Sequence, residues 1–169
     1  FESKGTIADM IKLETQLLEY LGFDSPKHET YDEVCEEYGG VEILEDEHES
    51  RMWEEKGSVV SLEYFPRRTN PFWNMKRTNL DHTAKKVDVI LSGQETIGSA
   101  ERETDRETMR LRFETIMDGA YRAKLYELFG EERTNAELDD YLNFNFFERC
   151  GGGIGVTRLI RSMKMENLL

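Results

Sequence analysis

Cysteine, proline and histidine are scarce in this sequence: two, three and three among 169 residues. Cys35 and Cys150 are too few for the disulfide framework of a small extracellular domain, and they suit a reducing compartment. The expected location is therefore the cytoplasm. His28, His48 and His82 are scattered and show no metal-ligand spacing. No apolar run approaches the roughly 20 residues of a membrane helix, and no signal-peptide pattern opens the chain, so no membrane partner is expected. Positive charge is short as well: 22 Lys and Arg stand against 35 Asp and Glu, a net charge of −13. Such a chain is a poor match for phosphate backbones, which call for a basic face. A nucleic-acid partner would need a basic region elsewhere, or a local cationic strip.

The chain does contain enough for a core. It is 38% hydrophobic and 34% charged, as ordinary globular domains are, and its length fits one domain or a large part of one. The acidity is local: residues 29–55 hold twelve Asp/Glu and one basic residue, Arg51, while the rest carries 23 acidic and 21 basic residues. Ile7, Met10, Ile11, Leu17, Leu18 and Leu21 recur at helical spacing. Thr6 and Asp9 supply a cap and Gly22 a stop. Residues 30–38 and 47–56 read as two further helices, ended by Gly39-Gly40 and by Gly57. Residues 59–65 read as a strand closed by Pro66. Residues 72–76, 86–91 and 95–103 read as three more, with a turn at Ser92-Gly93. Helical patterns return over 105–117, 120–129 and 135–142, and a glycine-rich stretch leads into a last helix over 156–165. The predicted fold is α+β, an antiparallel β-sheet flanked by helices. Trp53, Trp73, Phe144, Phe146 and Phe147 read as packing residues, Cys150 as a small buried one, and Glu47-His48-Glu49 as a solvated helix face.

Two stretches are dense in chemistry. The first is Gly151-Gly152-Gly153-Ile154-Gly155-Val156-Thr157-Arg158. Four glycines in five positions suit a strand that another backbone or a ligand approaches closely. Arg158 falls in the first turn of the following helix, where its guanidinium can meet phosphate or stack on a base. The spacing is neither that of a Walker loop nor that of a dinucleotide fingerprint; a plain packing turn with a surface Arg is the competing reading. The second stretch joins Asp88, Glu95 and Arg102. A hairpin at Ser92-Gly93 brings Asp88 and Glu95 from adjacent strands to one face, as a hard cation such as Mg²⁺ prefers. Arg102 lies at an odd offset from Glu95, so it reaches the same face only through a bulge, expected at Gly98. A solvated carboxylate pair is the alternative here.

Together these stretches resemble the catalytic domain of class II aminoacyl-tRNA synthetases in the aspartyl/asparaginyl branch. The run from Gly151 to Arg158 is similar to the third class II signature. Asp88, Glu95 and Arg102 keep the seven-residue spacings of that branch. Glu47-His48-Glu49, Phe65-Pro66 and the segment from Pro71 to Lys76 resemble the asparaginyl pattern upstream of them. The resemblance implies ATP and Mg²⁺ as cofactors, with Glu95 and Asp88 on the metal. Arg102 would hold the side-chain carbonyl or carboxylate of a bound Asp or Asn. Gly153, Gly155 and Arg158 would bind ATP. The chemistry implied is aminoacyl-adenylate formation, which needs no protein nucleophile.

The departures narrow the reading. Thr157 stands where the synthetases usually carry an acid. Bacterial aspartate–ammonia ligase has a small hydroxyl residue there after a Gly-Gly-Gly-Ile-Gly run, and archaeal asparagine synthetases related to asparaginyl-tRNA synthetase mix both sets of features. Gly98 stands where a Ser commonly helps the metal in the aspartyl enzymes. The first and second class II signatures are absent; they are expected upstream of Phe1, so residues 1–169 read as the C-terminal portion of the catalytic domain. A homodimer formed through those upstream regions is also expected. The favoured function is ATP-dependent asparagine synthesis with ammonia as acyl acceptor. The alternatives are an asparaginyl-tRNA synthetase, with tRNA as acceptor, and a non-catalytic binding module.

Overall fold

The computed structural model describes residues 1–78 and 82–169. Its centre is one six-stranded sheet of β1 (Glu2–Lys4), β2 (Lys27–Thr30), β3 (Val59–Pro66), β4 (Thr83–Leu91), β5 (Gln94–Glu101) and β6 (Arg149–Ile154). The strand order is β1-β6-β5-β4-β3-β2. All neighbours are antiparallel except β2 and β3, which run parallel at one edge. The predicted antiparallel sheet is thus a mixed one. The strands β1 and β2 escape sequence reading because they are three and four residues long and mostly polar, without the alternation that marks a half-buried strand.

The helices are α1 (Ile7–Tyr20), α2 (Tyr31–Glu37), α3 (Asp46–Lys56), α4 (Arg106–Thr115), α5 (Ala120–Phe129), α6 (Glu131–Leu142) and α7 (Val156–Met165). The predicted starts have the expected causes. The Asp9 carboxylate accepts from the Thr6 N–H at 2.8 Å and from its hydroxyl at 2.9 Å. The Thr30 hydroxyl donates to Glu33 at 2.6 Å and accepts from the Glu33 N–H, a reciprocal cap. Residue alternation then splits the core in two. Val87, Val89, Leu91 and Ile97 meet Met10 and Leu18 of α1, with Leu159 and Met163 of α7 alongside. Val60, Leu62 and Ile90 meet Val34 of α2 and Met52 of α3 on the opposite face.

A third apolar cluster lies off the sheet: Trp73 packs with Met109 and Phe113 of α4 and Leu138 and Leu142 of α6. It explains why residues 72–76 are not the predicted strand. Asn70 adopts a left-handed conformation before Pro71, and the Trp73 ring meets Phe113 and Tyr141 edge-on at 5.7 and 5.5 Å. The segment is pulled to the helices and joins the sheet only at its end: Met75 bridges Arg102, the Lys76 N–H donates to the Glu101 carbonyl at 2.8 Å, and the Lys76 carbonyl accepts from the Lys85 N–H at 2.9 Å. Two other expectations need correction. Phe144 and Phe147 are 67% and 52% exposed, and Trp53 is 36% exposed; of the five aromatics Trp73 is buried in a core and Phe146 packs half-buried against it, as expected. The helix predicted over 135–142 starts at Glu131, directly after Gly130, whose φ of +85° ends α5.

Glu14 of α1 is 3% exposed on the side of α1 turned to the sheet. Neither of its oxygens has a hydrogen-bond partner. Burial pushes its pKa up to about 7; the Ser99 hydroxyl opposes that, and the nearby Asp88 and Glu63 add to it. The folded pKa lies above the unfolded value of about 4.5, so this group favours the fold fully below pH ~4.5. That advantage is lost as pH rises through about 7. Glu14→Gln should therefore stabilise the protein by about 3 kcal/mol at pH 8 and change little at pH 4. Thermal melts at the two pH values test it; equal gains at both would show that charge is not the cause.

Candidate active site

The face of the sheet under α3 carries the chemistry-bearing residues. On β4 the alternation that sends Lys85 to the α1 side sends Lys86, Asp88 and Ile90 to the α3 side. Asp88 stands opposite Gly98, and Ile90 opposite Glu95. Between them the register shifts: Val89 pairs with Ile97 while Ile90 pairs with Glu95, leaving Thr96 as the extra residue. This is the bulge that returns Arg102 to the face of Glu95, two steps of two beyond Gly98. It lies at Thr96 and not at Gly98 as expected, because the tight Ser92-Gly93 turn fixes the Leu91–Gln94 pair and the slip follows directly.

Gly98 forms the floor. A methyl group there would lie 2.9 Å from Glu95 Oε1 and 3.4 Å from Asp88 Oδ1, so both carboxylates lean over the same glycine. Asp88 Oδ2 accepts from Lys86 Nζ, whereas Asp88 Oδ1 is buried without a partner. Burial pushes Asp88 up to about 7; Lys86 pulls against it, and Glu95 and Glu49 push it further. An orphaned carboxylate oxygen beside a second carboxylate is a donor set for a hard, oxygen-preferring cation, and Asp88 and Glu95 fit Mg²⁺ on that ground. Among the described residues no group of three or more His, Cys, Asp or Glu side chains is arranged to hold a metal by itself. Two protein carboxylates completed by phosphate and water is the arrangement Mg²⁺ often takes with nucleotides.

Glu49, assigned from sequence to a solvated face, belongs to this site. Its Oε2 accepts from the Glu95 N–H at 2.7 Å, which ties α3 to β5. Burial raises its pKa, against the pull of that N–H. The residue was missed because α3 is acidic on nearly every side, so its inward carboxylate has no distinguishing neighbours in sequence. Glu49, Lys86, Asp88 and Glu95 line a cavity of about 280 Å³, with Phe65 and Met75 on its apolar side.

The glycine run forms β6. A methyl at Gly152 would lie 2.3 Å from the Gly98 carbonyl oxygen and 2.7 Å from Ser99 Cα, so Gly152 is required by backbone contact with β5. Over Gly153 there is open space. Gly155 donates its N–H to the Thr96 carbonyl at 2.8 Å, locking the bulge to the start of α7. Arg158, in the first turn of α7, donates to the Glu95 carbonyl at 2.6 Å. Arg102 donates to the Gly151 carbonyl at 3.0 Å. Its Nε lies 3.6 Å from the carboxylate of Glu2, which also accepts from Arg149 at 3.1 Å. Glu2 carries no signal in sequence, since only the β1–β6 pairing brings it across Gly151.

One face thus gathers two converging carboxylates, a guanidinium farther along it beside Gly151 and Glu2, and a second guanidinium at the head of a helix, on a largely antiparallel sheet. That combination is the class II type of synthetase catalytic domain. The family model of tRNA synthetases class II (D, K and N) matches residues 6–167, and the chain belongs to this family. No curated protein matches it by sequence. Among solved structures, asparaginyl-tRNA synthetase from Pyrococcus horikoshii complexed with asparaginyl-adenylate aligns with a TM-score of 0.73 at 17% identity, covering 95% of this chain and 42% of that one. Aspartyl tRNA synthetase from Entamoeba histolytica aligns with a TM-score of 0.68 at 18% identity, over 99% of this chain and 39% of that one. Asparaginyl-tRNA synthetase from Entamoeba histolytica in complex with asparaginyl-adenylate aligns with a TM-score of 0.73 at 16% identity, over 98% and 43%. At such identities the likeness is one of fold. The chain spans less than half the length of each of these proteins.

Proposed function

We propose that this site activates aspartate with Mg·ATP and transfers the acyl group to ammonia, producing asparagine. The observation that carries the proposal is the convergence of Asp88 Oδ1 and Glu95 Oε1 over Gly98, on the face that also holds Arg102. A carboxylate oxygen of the amino acid attacks the α-phosphorus in line, the bond to the bridging oxygen breaks, and pyrophosphate leaves. Ammonia then attacks the acyl carbon, AMP departs and a proton passes to solvent. Little covalent work falls to the protein, so its share is positioning and charge neutralisation. Glu95 and Asp88 would hold Mg²⁺, which when bound offsets phosphate charge. Arg158 would bind the nucleotide, and Gly153 and Gly155 would let it approach the backbone.

Free asparagine forms only when the side-chain carboxylate is the one activated. Arg102 would then grip the main-chain carboxylate of aspartate, a bidentate match for its fork. In an asparaginyl-tRNA synthetase the main-chain carboxylate is activated and Arg102 would meet the side-chain amide. Thr157 before Arg158 and the net charge of −13 support the ammonia route. The tRNA route is favoured by the structural neighbours that hold asparaginyl-adenylate. ATP–pyrophosphate exchange with Asp and with Asn in separate reactions tests the proposal. Exchange with Asp, together with ¹⁵N-asparagine formed from ¹⁵N-ammonium, is the expected result. Exchange with Asn alone would favour the tRNA route. Silence with both would mean half a site; silence again on a chain extended upstream of Phe1 would leave a binding module.

Glu95→Ala should weaken ATP binding by about tenfold when Mg²⁺ is present, and leave ATP affinity unchanged in EDTA. Isothermal titration in the two buffers separates the outcomes: equal loss in both would make Glu95 structural.

A further inference from the structure

The cavity beneath α3 is lined by three carboxylates, from Glu49, Asp88 and Glu95, and a triphosphate entering it adds about four more negative charges at neutral pH. Among the described residues lining it, Lys86 is the one cation. Its neighbour Lys85 points to the other face and is committed to the buried carboxylate of Glu101 at 3.0 Å. Lys86 is 21% exposed along its side chain, its ammonium lies 3.7 Å from the centre of the Phe65 ring, and it donates to Asp88 Oδ2. An ammonium has three protons to donate. One is used on Asp88 and at most one more turns to the Phe65 face, so at least one donor remains.

Resting on the nucleotide-activation reading above, we infer that Lys86 is a phosphate-binding residue: it bridges Asp88 to the phosphate oxygens of the nucleotide and supplies positive charge beside the metal. The two oxygens of Asp88 divide the work. Oδ2 holds Lys86, and Oδ1, left without a partner, faces Glu95 over Gly98. The Phe65 ring keeps the ammonium in place, because its face attracts cations. The period of two on β4 alone puts Lys86 on the face of Asp88. Sequence motifs did not mark it, because a Lys two residues from an Asp is common on exposed strands.

The geometry predicts that two affinities of Lys86→Met move in opposite directions. Removing the ammonium frees both oxygens of Asp88, so Mn²⁺ alone, followed by electron paramagnetic resonance, should bind roughly three- to tenfold more tightly. Mg·ATP, followed by isothermal titration at saturating Mg²⁺, should bind about tenfold more weakly for loss of a charge-assisted hydrogen bond. Lys86→Arg should retain most of the ATP affinity. Lys124→Met, a lysine paired with Glu127 on exposed α5, should leave both affinities at wild-type values. Unchanged ATP affinity in Lys86→Met would overturn the inference. So would parallel loss of both affinities, which is the mark of a structural lysine. Failure of the wild-type chain to bind Mg·ATP at all would overturn the nucleotide reading itself.

Discussion

Gly152→Ala is expected to destabilise the protein by about 3 kcal/mol or more, a drop in Tm of roughly 6–12 °C for a chain of this size. The cause is contact and not backbone freedom. A Cβ at this position would sit 2.3 Å from the Gly98 carbonyl oxygen, 2.5 Å from Ser99 Cβ and 2.7 Å from Ser99 Cα. Backbone cannot swing aside as a flexible side chain can, so β6 must separate from β5. Gly98 and Ser99 are directly paired with Gly153 and Gly152, and the displacement is therefore transmitted to the floor beneath Asp88 and Glu95. Gly153→Ala is the matched control: nothing lies within 4 Å of its Cβ position, and it should melt within about 1 kcal/mol of wild type. Thermal denaturation of the two variants side by side decides the matter. Equal melting temperatures would mean that β6 does not approach β5 as closely as the structure describes.

Arg102→Ala is expected to reduce amino-acid affinity at least ~100-fold while ATP affinity stays at its wild-type value. A bidentate guanidinium–carboxylate pair in a half-buried site contributes two charge-assisted hydrogen bonds, and both vanish together. The nucleotide contacts proposed for Arg158, Glu95 and Lys86 do not use the Arg102 side chain and remain. Arg102→Lys distinguishes charge from shape: an ammonium keeps the charge but not the fork, so recovery should be partial. Titration of each variant with Asp, Asn and Mg·ATP checks both halves of the expectation. Unchanged amino-acid affinity in Arg102→Ala would remove this residue from the substrate site. Loss of ATP binding as well would point to the Arg102–Gly151 hydrogen bond as a structural tie.

Both variants concern residues that the sequence marks plainly. Four glycines in five positions and two seven-residue spacings stand out from an ordinary background, because each is costly or improbable without a close approach or a shared site. The helices α1 and α2 were legible for a similar reason. Their starts are set by local reciprocal caps at Thr6-Asp9 and Thr30-Glu33, and local chemistry is what a linear pattern records. Residues 72–76 were misread for the opposite reason. Phe72, Trp73 and Met75 have strand-like composition, but Trp73 is drawn into the cluster with α4 and α6, and long-range packing overrode the propensity.

The sequence by itself determined the α+β class, most of the helix boundaries, the β4–β5 hairpin and the placement of Asp88, Glu95, Arg102 and Arg158 on that hairpin or beside it. These depend on neighbours within a few residues, where spacing and turn chemistry act. Only the tertiary structure decided which side chains join them. Glu49 arrives from α3, Glu2 from an edge strand, and Lys86 gains its importance from the cavity it lines. The position of the bulge was likewise a tertiary matter. One extra residue at Thr96 is fixed jointly by the Leu91–Gln94 turn pair and by the Gly155 N–H on the Thr96 carbonyl. That second hold comes from a segment about sixty residues away, and a period-two pattern along β5 carries no record of it.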